Sequence, residues 1–366
     1  MFRVLYVDDE PSLLEIGKLF LEKDGRFSVD IITSASGALS LMESATYDAI
    51  IADYQMPEMD GIELLKRVRG SGNIVPFILF TGKGREEIVI KALNEGADFY
   101  LQKGGAPQAQ FAELQSKILQ SIYRRQAEER VVYLSRINSL LSQVNKNIVH
   151  IPDRDNLFKA ICAVAIEYGK LRMAWIGVLD RETQRIKPVA SAGIGVGEYL
   201  SNIGISADDI PEGRGPTGRA VRESRSVVTN NIRQDPVMIP WHDAAEKFGY
   251  RSSGAFPIHC RGKVIGAFSL YAAEPEFFSP EEVAHLEEVA GDISFALDNM
   301  EREQERSVAV EALARNEERL KFALEGANDG LWDVRMDTGE VYMSPRGCEI
   351  LGYTPEELPE IARVWN

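Results

Sequence analysis

The first 125 residues of the chain alternate short apolar runs with segments of helical periodicity, and few folds accommodate that alternation. The apolar runs predict five strands, at residues 2–7, 29–32, 49–52, 77–80 and 99–101. The segments between and after them predict helices at residues 11–23, 61–68, 86–94 and 108–123. Strands that are apolar on both faces must be covered on both sides, which helices between parallel strands achieve. We therefore predict an open, doubly wound α/β domain with five parallel strands.

Polar side chains lie at the carboxyl ends of four predicted strands: Asp8 and Asp9 after the first, Asp53 after the third, Thr81 after the fourth and Lys103 after the fifth. In a parallel sheet these ends meet at one edge. Crowded carboxylates repel one another and need a cation, and oxygen ligands favour Mg²⁺. A phosphoryl group on one carboxylate would place its oxygens near the cation, the hydroxyl and the ammonium.

Two alternative explanations exist for this group of side chains. Another class of phosphotransfer fold places its nucleophilic aspartate directly after strand one and a second aspartate two residues later. Here position 10 is Glu and position 11 is Pro, which argues against that class. The other alternative, solvated side chains with no common role, would require residues from four strand ends to coincide by chance.

Three stretches of this block resemble the receiver domain of two-component response regulators: residues 6–10 (YVDDE), 53–61 (DYQMPEMDG) and Thr81-Gly82. The resemblance covers about residues 1–125. It implies that Asp53 is the phosphoacceptor and that a histidine kinase or phosphotransfer protein is the phosphodonor. It also implies a Mg²⁺ site formed by the ligands Asp8, Asp9, Asp53 and the backbone carbonyl of Gln55.

The same resemblance implies a switch. Thr81 and Lys103 would contact the phosphoryl group, and Tyr100 would be the aromatic residue that changes rotamer on activation. The alternative for Tyr100 is ordinary packing at a sheet edge. One departure concerns the residue after the lysine, which in the family is usually a proline in a cis peptide. Here Gly104 follows Lys103, and glycine can relax the loop that positions the ammonium.

Helical segments join the blocks of the chain. Residues 126–150 predict a helical linker with a 3-4 seam of Leu134, Ile137, Leu141, Val144 and Ile148. This spacing favours a dimeric coiled coil, and the alternative is a single helix lying on its own domain. A second linker is predicted at residues 301–318. Its seam continues beyond the linker and consists of Val310, Leu313, Glu317, Leu320 and Leu324.

Residues 151–300 predict a second domain, of the α+β class, with an antiparallel sheet. The stretches 172–177, 215–220 and 262–267 resemble a GAF domain, which implies either a small-molecule pocket on one sheet face or a dimerising module. The candidate pocket residues, which are equally ordinary as core aromatics, are Trp175, Trp241, Tyr250 and Phe256. Residues 213–218 match the GxGxxG pattern but lack a preceding strand, so we predict a structural loop there rather than a dinucleotide site.

Residues 319–366 predict two strands and three helical pieces, which cannot close a covered sheet. The stretches 322–324, 328–333 and 347–353 resemble the start of a PAS domain. We therefore expect a partial, truncated PAS domain.

Composition excludes several functions. The formal net charge of −15 over 366 residues disfavours nucleic-acid binding, because an acidic surface repels phosphate backbones. No stretch approaches the roughly 18 consecutive apolar residues of a membrane span, and no signal-peptide cleavage pattern is present. We expect no membrane insertion and a cytoplasmic location. The three cysteines are too far apart in sequence for a disulfide framework or a metal cluster.

The leading hypothesis is two-component signal transduction, in which phosphorylation of Asp53 is relayed through helices to the GAF and PAS modules of a homodimer. No kinase glycine box, cyclase or phosphodiesterase motif, or DNA-binding helix pair is legible, so any enzymatic output stays uncertain. One alternative is the N-terminal input region of a hybrid sensor histidine kinase. Another is a GAF-centred sensor of a small ligand with a vestigial receiver.

Overall fold

The computed structural model describes residues 1–82, 86–327, 329–335, 337–338, 340–352 and 354. Contacts along the chain divide it into two compact units, Met1–Arg136 and Ile137–Asn366. The boundary falls inside one continuous helix rather than in a loop. Within the described residues, no helix is both long and apolar enough to cross a membrane.

The first unit is built on a parallel sheet of five strands in the order β2-β1-β3-β4-β5. The strands are β1 (Phe2–Val7), β2 (Phe27–Ile32), β3 (Ala49–Ala52), β4 (Phe77–Thr81) and β5 (Phe99–Gln102). The helices are α1 (Pro11–Glu22), α2 (Ala35–Ser44), α3 (Gly61–Gly70), α4 (Glu86–Asn94) and α5 (Pro107–His150). The predicted doubly wound α/β fold with five parallel strands is confirmed.

Each face of this sheet has its own core. Consecutive residues of a strand contribute to opposite cores: Leu5 and Leu79 pack with α2, α3 and α4, whereas Tyr6 and Phe80 pack with α1 and α5. Both faces of the sheet are therefore shielded from solvent, which is why these strands are apolar throughout.

Helix α2 was absent from the sequence prediction. It buries only small residues, Ala35 and Ala38, so its sequence has no strong apolar stripe for a periodicity argument to detect. A local signal is present, however. The Ser34 hydroxyl accepts a hydrogen bond from the Gly37 backbone N–H at 3.2 Å, which makes Ser34 the N-cap.

The second unit contains an antiparallel sheet in the order β7-β6-β10-β9-β8. Its strands are β6 (Met173–Leu179), β7 (Ile186–Gly193), β8 (Val227–Thr229), β9 (Ser252–Cys260) and β10 (Lys263–Ala272). Its helices are α6 (Arg154–Gly169), α7 (Val196–Asn202), α8 (Pro216–Glu223), α9 (His242–Phe248) and α10 (Pro280–Ala327), with 3-10 turns at Pro211–Gly213 and Pro236–Trp241. The predicted antiparallel α+β domain is confirmed. One sheet face packs against α6, α10 and the end of α5, and the other packs against α7, α8 and α9.

Helix α5 is continuous across residues 124–126, where the sequence analysis placed a break between two helices. In its second half Val144 and Leu140 are buried in the core of the second unit, with Leu141 and Ile148 packed at the edge. This is the arrangement expected of a helix lying on its own domain. Leu134 is exposed. The dimeric coiled coil stays a prediction.

Helix α10 has two distinct parts. Its first part packs into the domain core through residues such as Leu286, Ile293 and Leu297. Residues 301–323 are exposed at every position. That exposed part carries large apolar side chains, among them Val308, Val310, Leu313, Leu320 and Phe322. Leu324 of the predicted seam has a side chain outside the described part.

The last block contains a two-stranded antiparallel sheet of β11 (Trp332–Arg335) and β12 (Glu340–Met343), followed by α11 (Pro345–Leu351). Asn328 and Tyr353, two residues of the PAS-like stretches, lie outside the described residues, as do residues 355–366. The PAS assignment stays a prediction.

Candidate functional site

The carboxyl ends of β1, β3 and β4 meet at one edge of the parallel sheet, as predicted. Asp8, Asp53 and Thr81 are all buried there, although they are polar. Lys103 follows β5 at the same edge. The sheet order, with β1 and β3 adjacent at its centre, is what brings the two carboxylates together.

Lys103 is the centre of this acidic pocket. Its Nζ lies 2.6 Å from Asp8 Oδ2 and 2.6 Å from Asp53 Oδ1. The ammonium therefore bridges two buried carboxylates that would otherwise repel each other. The Lys103 Nζ also lies 5.8 Å from the centroid of the Phe80 ring, a contact the sequence analysis did not foresee.

The remaining carboxylate oxygens are held by backbone amides. The Glu10 N–H donates to Asp8 Oδ1 at 3.1 Å, and the Gln55 N–H donates to Asp53 Oδ2 at 2.6 Å. Each bond reaches two residues along the chain, the local pattern typical of aspartate at a turn. Both carboxylates are thus oriented by the turns that end their own strands.

The pKa values of the pocket show how burial and charge compete. Burial raises the pKa of the Asp8 carboxyl above its usual range, against the opposing effect of its hydrogen bond from Lys103. Burial alone would lower the pKa of Lys103, but its hydrogen bonds to Asp53 and Asp8 and their charges outweigh that and raise it. Lys103 is therefore a protonated cation at neutral pH.

Asp9 differs from its neighbour. Its side chain is exposed, while that of Asp8 is buried. Within the part of the chain that the structure describes, no three His, Cys, Asp or Glu side chains are grouped as metal ligands. The structure thus joins Asp8, Asp53 and Lys103 and leaves Asp9 outside that group.

The two predicted switch residues flank the pocket. Thr81 is buried at the end of β4, and its carbonyl accepts a hydrogen bond from the Lys103 N–H at 2.7 Å. Tyr100 on β5 is partly buried against the core beneath α2, α3 and α4. Burial raises the pKa of the Tyr100 hydroxyl, and the charge of Asp53 adds to the effect. Residues 83–85, which follow Thr81 and Gly82, are outside the described residues.

Gly61 allows α3 to begin against the pocket. A Cβ atom at this position would lie 2.2 Å from the Asp53 carbonyl oxygen and 2.8 Å from Leu79 Cδ2. The Asp60 side chain caps the helix by accepting the Glu63 N–H at 2.7 Å. Only glycine lets the backbone approach Asp53 this closely.

The loop after Lys103 is built from glycine. Gly105 has a φ of +87°, in the left-handed region that favours this residue. No peptide bond in the described residues is cis, so the usual family geometry after the lysine is absent here.

The four aromatic residues proposed for a pocket in the second unit fall into two groups. Trp175, Trp241 and Tyr250 share the core beneath α7, α8 and α9. Phe256 is buried in the other core, with α6 and α10. Trp175 on β6 and Phe256 on β9 lie on opposite faces, because side chains alternate along a strand.

Polar groups that the sequence analysis missed lie in the same core as Trp175. Trp175 Nε1, Tyr199 OH and Ser253 Oγ are buried without a hydrogen-bond partner among the described residues. Burial raises the pKa of the nearby Tyr271 hydroxyl, and these three groups act in the opposite direction. A cavity of about 10 Å³, lined by residues that include Tyr271, Thr217 and Trp241, lies in this region. That volume is about one water molecule.

The GxGxxG stretch is structural. A Cβ atom at Gly213 would lie 1.8 Å from the Asp208 carbonyl oxygen, and one at Gly218 would lie 2.3 Å from the Ser206 carbonyl oxygen. The glycines pack the loop onto the start of α8. This agrees with the prediction of a structural loop. The glycines of the GxGxxG pattern are explained by this close backbone packing.

Comparisons with known proteins identify the two domains. Residues 4–115 match the family described as response regulator receiver domain, and residues 152–298 match the family described as GAF domain. The chain therefore contains a response regulator receiver domain followed by a GAF domain.

Similar proteins were found for part of the chain. The response regulator SaeR of Staphylococcus epidermidis is 28% identical over 175 residues, which are 47% of this chain and 75% of that protein. SaeR of Staphylococcus aureus is 36% identical over 107 residues, which are 29% of this chain and 46% of that protein. A solved Francisella receiver domain, of response regulator 1452, is 29% identical with a TM-score of 0.32, and the match covers 34% of this chain and 99% of that chain.

Proposed function

We propose that the receiver domain accepts a phosphoryl group on Asp53 from a histidine kinase or phosphotransfer protein. The observation that carries this proposal is the partly buried Lys103 ammonium shared by Asp53 and Asp8. An Asp53 carboxylate oxygen bonds to phosphorus while the bond from phosphorus to the donor imidazole nitrogen breaks. The departing nitrogen takes up a proton from solvent.

Two side chains of the pocket then stabilise the phosphoryl oxygens. Lys103 carries a proton and already lies 2.6 Å from an Asp53 oxygen, so its charge is available where negative charge accumulates. Thr81, buried at the end of the adjacent strand, offers a hydroxyl hydrogen. Both act as preorganised electrostatic groups rather than as acids or bases.

The oxygen ligands also fit Mg²⁺, which receiver domains generally bind. Asp8, Asp9, Asp53 and the backbone carbonyl of Gln55 would hold the ion, and all four offer the hard oxygens that it prefers. Asp8, Asp9 and Asp53 together carry more negative charge than the single ammonium of Lys103 offsets, and this excess negative charge favours a divalent cation at the pocket. Asp9 must turn inward from its exposed position to join them. The bound ion would supply positive charge to the phosphoryl oxygens.

The signal would pass from the pocket through Tyr100 to the helices. Tyr100 lies within the electrostatic reach of Asp53, so a doubly charged phosphoryl group changes its surroundings directly. Helices α5 and α10, in a homodimer, would carry the change to the GAF domain and the block after it. These helices are 44 and 48 residues long and continuous, so a displacement at one end is transmitted directly to the other.

The test is phosphorylation by a small phosphodonor with Mg²⁺, read by intact mass. We expect an adduct of one phosphoryl group in the wild type and in Asp60→Asn, a control that alters a nearby capping aspartate. Asp53→Asn should show none. An adduct that persists in Asp53→Asn, or that never forms, would contradict the proposal.

A second candidate function is sensing of a small polar ligand by the GAF domain. It is favoured by the three buried polar groups around Tyr271 that lack a hydrogen-bond partner, since such groups cost free energy unless something satisfies them. The cavity of about 10 Å³ beside them has room for one water molecule, so a larger ligand would have to widen it. Native mass spectrometry should then detect a small molecule bound to the wild type and weakened by Ser253→Ala. Identical spectra of the bare protein in both would count against this function.

The interpretation as the input region of a hybrid histidine kinase rests on the block after α10. The test of this interpretation is the gene sequence, which would have to encode a kinase core in the same reading frame beyond Asn366.

A further inference from the structure

Asp98 joins three elements at the edge of the receiver sheet opposite the phosphorylation pocket. It directly precedes β5, and its Oδ2 accepts the Phe77 N–H at 2.8 Å, which ties it to the start of β4. The same oxygen lies 3.4 Å from the Arg69 guanidinium at the end of α3. Its Oδ1 pairs with Arg124 of α5. The Asp98 side chain is 16% exposed, so these bonds are partly shielded from solvent.

Arg124 occupies the last turn of α5 that is attached to the receiver. Ile122 is buried just before it, and the neighbouring Arg125 donates to the Ile74 carbonyl. Residues 126–132 are exposed at every position. The Asp98–Arg124 ion pair thus lies at the point where α5 leaves the receiver core.

Strand β5 connects this ion pair to the pocket. Tyr100 lies two residues after Asp98, and Lys103 follows the end of the same strand. A strand is stiff and rises about 3.3 Å per residue. A shift of β5 caused by a new partner for Lys103 or a new rotamer of Tyr100 therefore reaches Asp98 without an intervening loop.

We propose that the Asp98–Arg124 ion pair couples the position of β5 to the exit of α5, so that the pocket controls the order of the linker helix. The ion pair itself is independent of phosphorylation, whereas its use as a signal rests on the function proposed for Asp53. Aspartate is suited to this role because its two oxygens hold the sheet and the helix separately.

The experiment is hydrogen exchange of residues 119–136 in the full chain, with and without a small phosphodonor and Mg²⁺, while intact mass reports the adduct. The variants are Arg124→Gln, an exposed helix position that preserves the fold, and Asp98→Asn, which keeps an acceptor for Phe77. The matched control is Arg130→Gln. This arginine of α5 lies 5.2 Å from the centroid of the Tyr133 ring on the same helix.

Without phosphodonor, we expect exchange of residues 119–136 to be about fivefold faster in Arg124→Gln and Asp98→Asn, and unchanged in Arg130→Gln. With phosphodonor, the wild type and Arg130→Gln should change their exchange and the two test variants should not. Equal exchange in Arg124→Gln and wild type, or an equal effect of Arg130→Gln, would overturn the inference. If the wild type forms no adduct, the function proposed for Asp53 fails, and the comparison without phosphodonor still decides whether the ion pair holds α5.

Discussion

Single residues determine the charge balance of the receiver pocket, and Lys103 has the largest effect. Lys103→Met should lower the free energy of unfolding by about 3 kcal/mol at neutral pH, because two buried carboxylates lose their shared cation. Mg²⁺ should raise the melting temperature of this variant more than that of the wild type. Lys66→Met is the control, since Lys66 pairs with Glu95 at 3.1 Å on the surface and should matter little. Equal losses in both variants would contradict this explanation.

The cysteines give a pH-dependent prediction at the same scale. Burial raises the pKa of the Cys162 thiol to about 12. Burial, with the nearby Glu301 and Asp298 carboxylates, raises that of Cys260 to about 11. Because the thiolate is the reactive form, both should react slowly with thiol reagents at pH 8 and faster as the pH rises towards these values. Fast labelling of the folded protein at pH 8, measured by mass against the unfolded protein, would refute this.

At the scale of elements, α3 tests how closely the fold depends on glycine. Gly61→Ala should destabilise the protein by about 1–3 kcal/mol, because the new Cβ overlaps the Asp53 carbonyl oxygen. Gly70, at the other end of the same helix, has no atom within 4 Å of a built Cβ. Gly70→Ala should therefore be neutral or slightly stabilising. Chemical denaturation compares the two, and equal stabilities would show that the backbone moves freely at position 61.

At the scale of the whole molecule, the exposed part of α10 bears on assembly. Residues 301–323 form a long helix exposed at every position, and an isolated helix gains little stability without a packed face. We expect a homodimer through the seam that contains Leu313 and Leu320. The double variant Leu313→Glu and Leu320→Glu should be monomeric by light scattering, and Val308→Glu, outside the seam, should remain dimeric. The same mass for all three proteins would contradict this.

The location of the receiver site could be predicted from sequence for a physical reason. Wholly apolar runs separated by helices require a parallel sheet, and parallel strands place their carboxyl ends at one edge. That reasoning brought Asp8, Asp53 and Thr81 together without any knowledge of their contacts. The continuity of α5 was equally accessible, because residues 124–126 contain no helix breaker. Helix α2 was harder, since its buried residues are small.

The direction in which each side chain points, in contrast, was decided by tertiary structure. Sequence patterns report how much a position is buried but not which neighbour it meets. The pairing of Lys103 with both carboxylates, the outward position of Asp9 and the placement of Phe256 on the other sheet face all depend on turns and strand register. The same limit applies to Asp98 and Arg124, which are 26 residues apart and meet only because α5 packs back across the sheet. Local sequence determined which elements form and where their ends lie, and long-range packing decided which side chains those ends bring into contact.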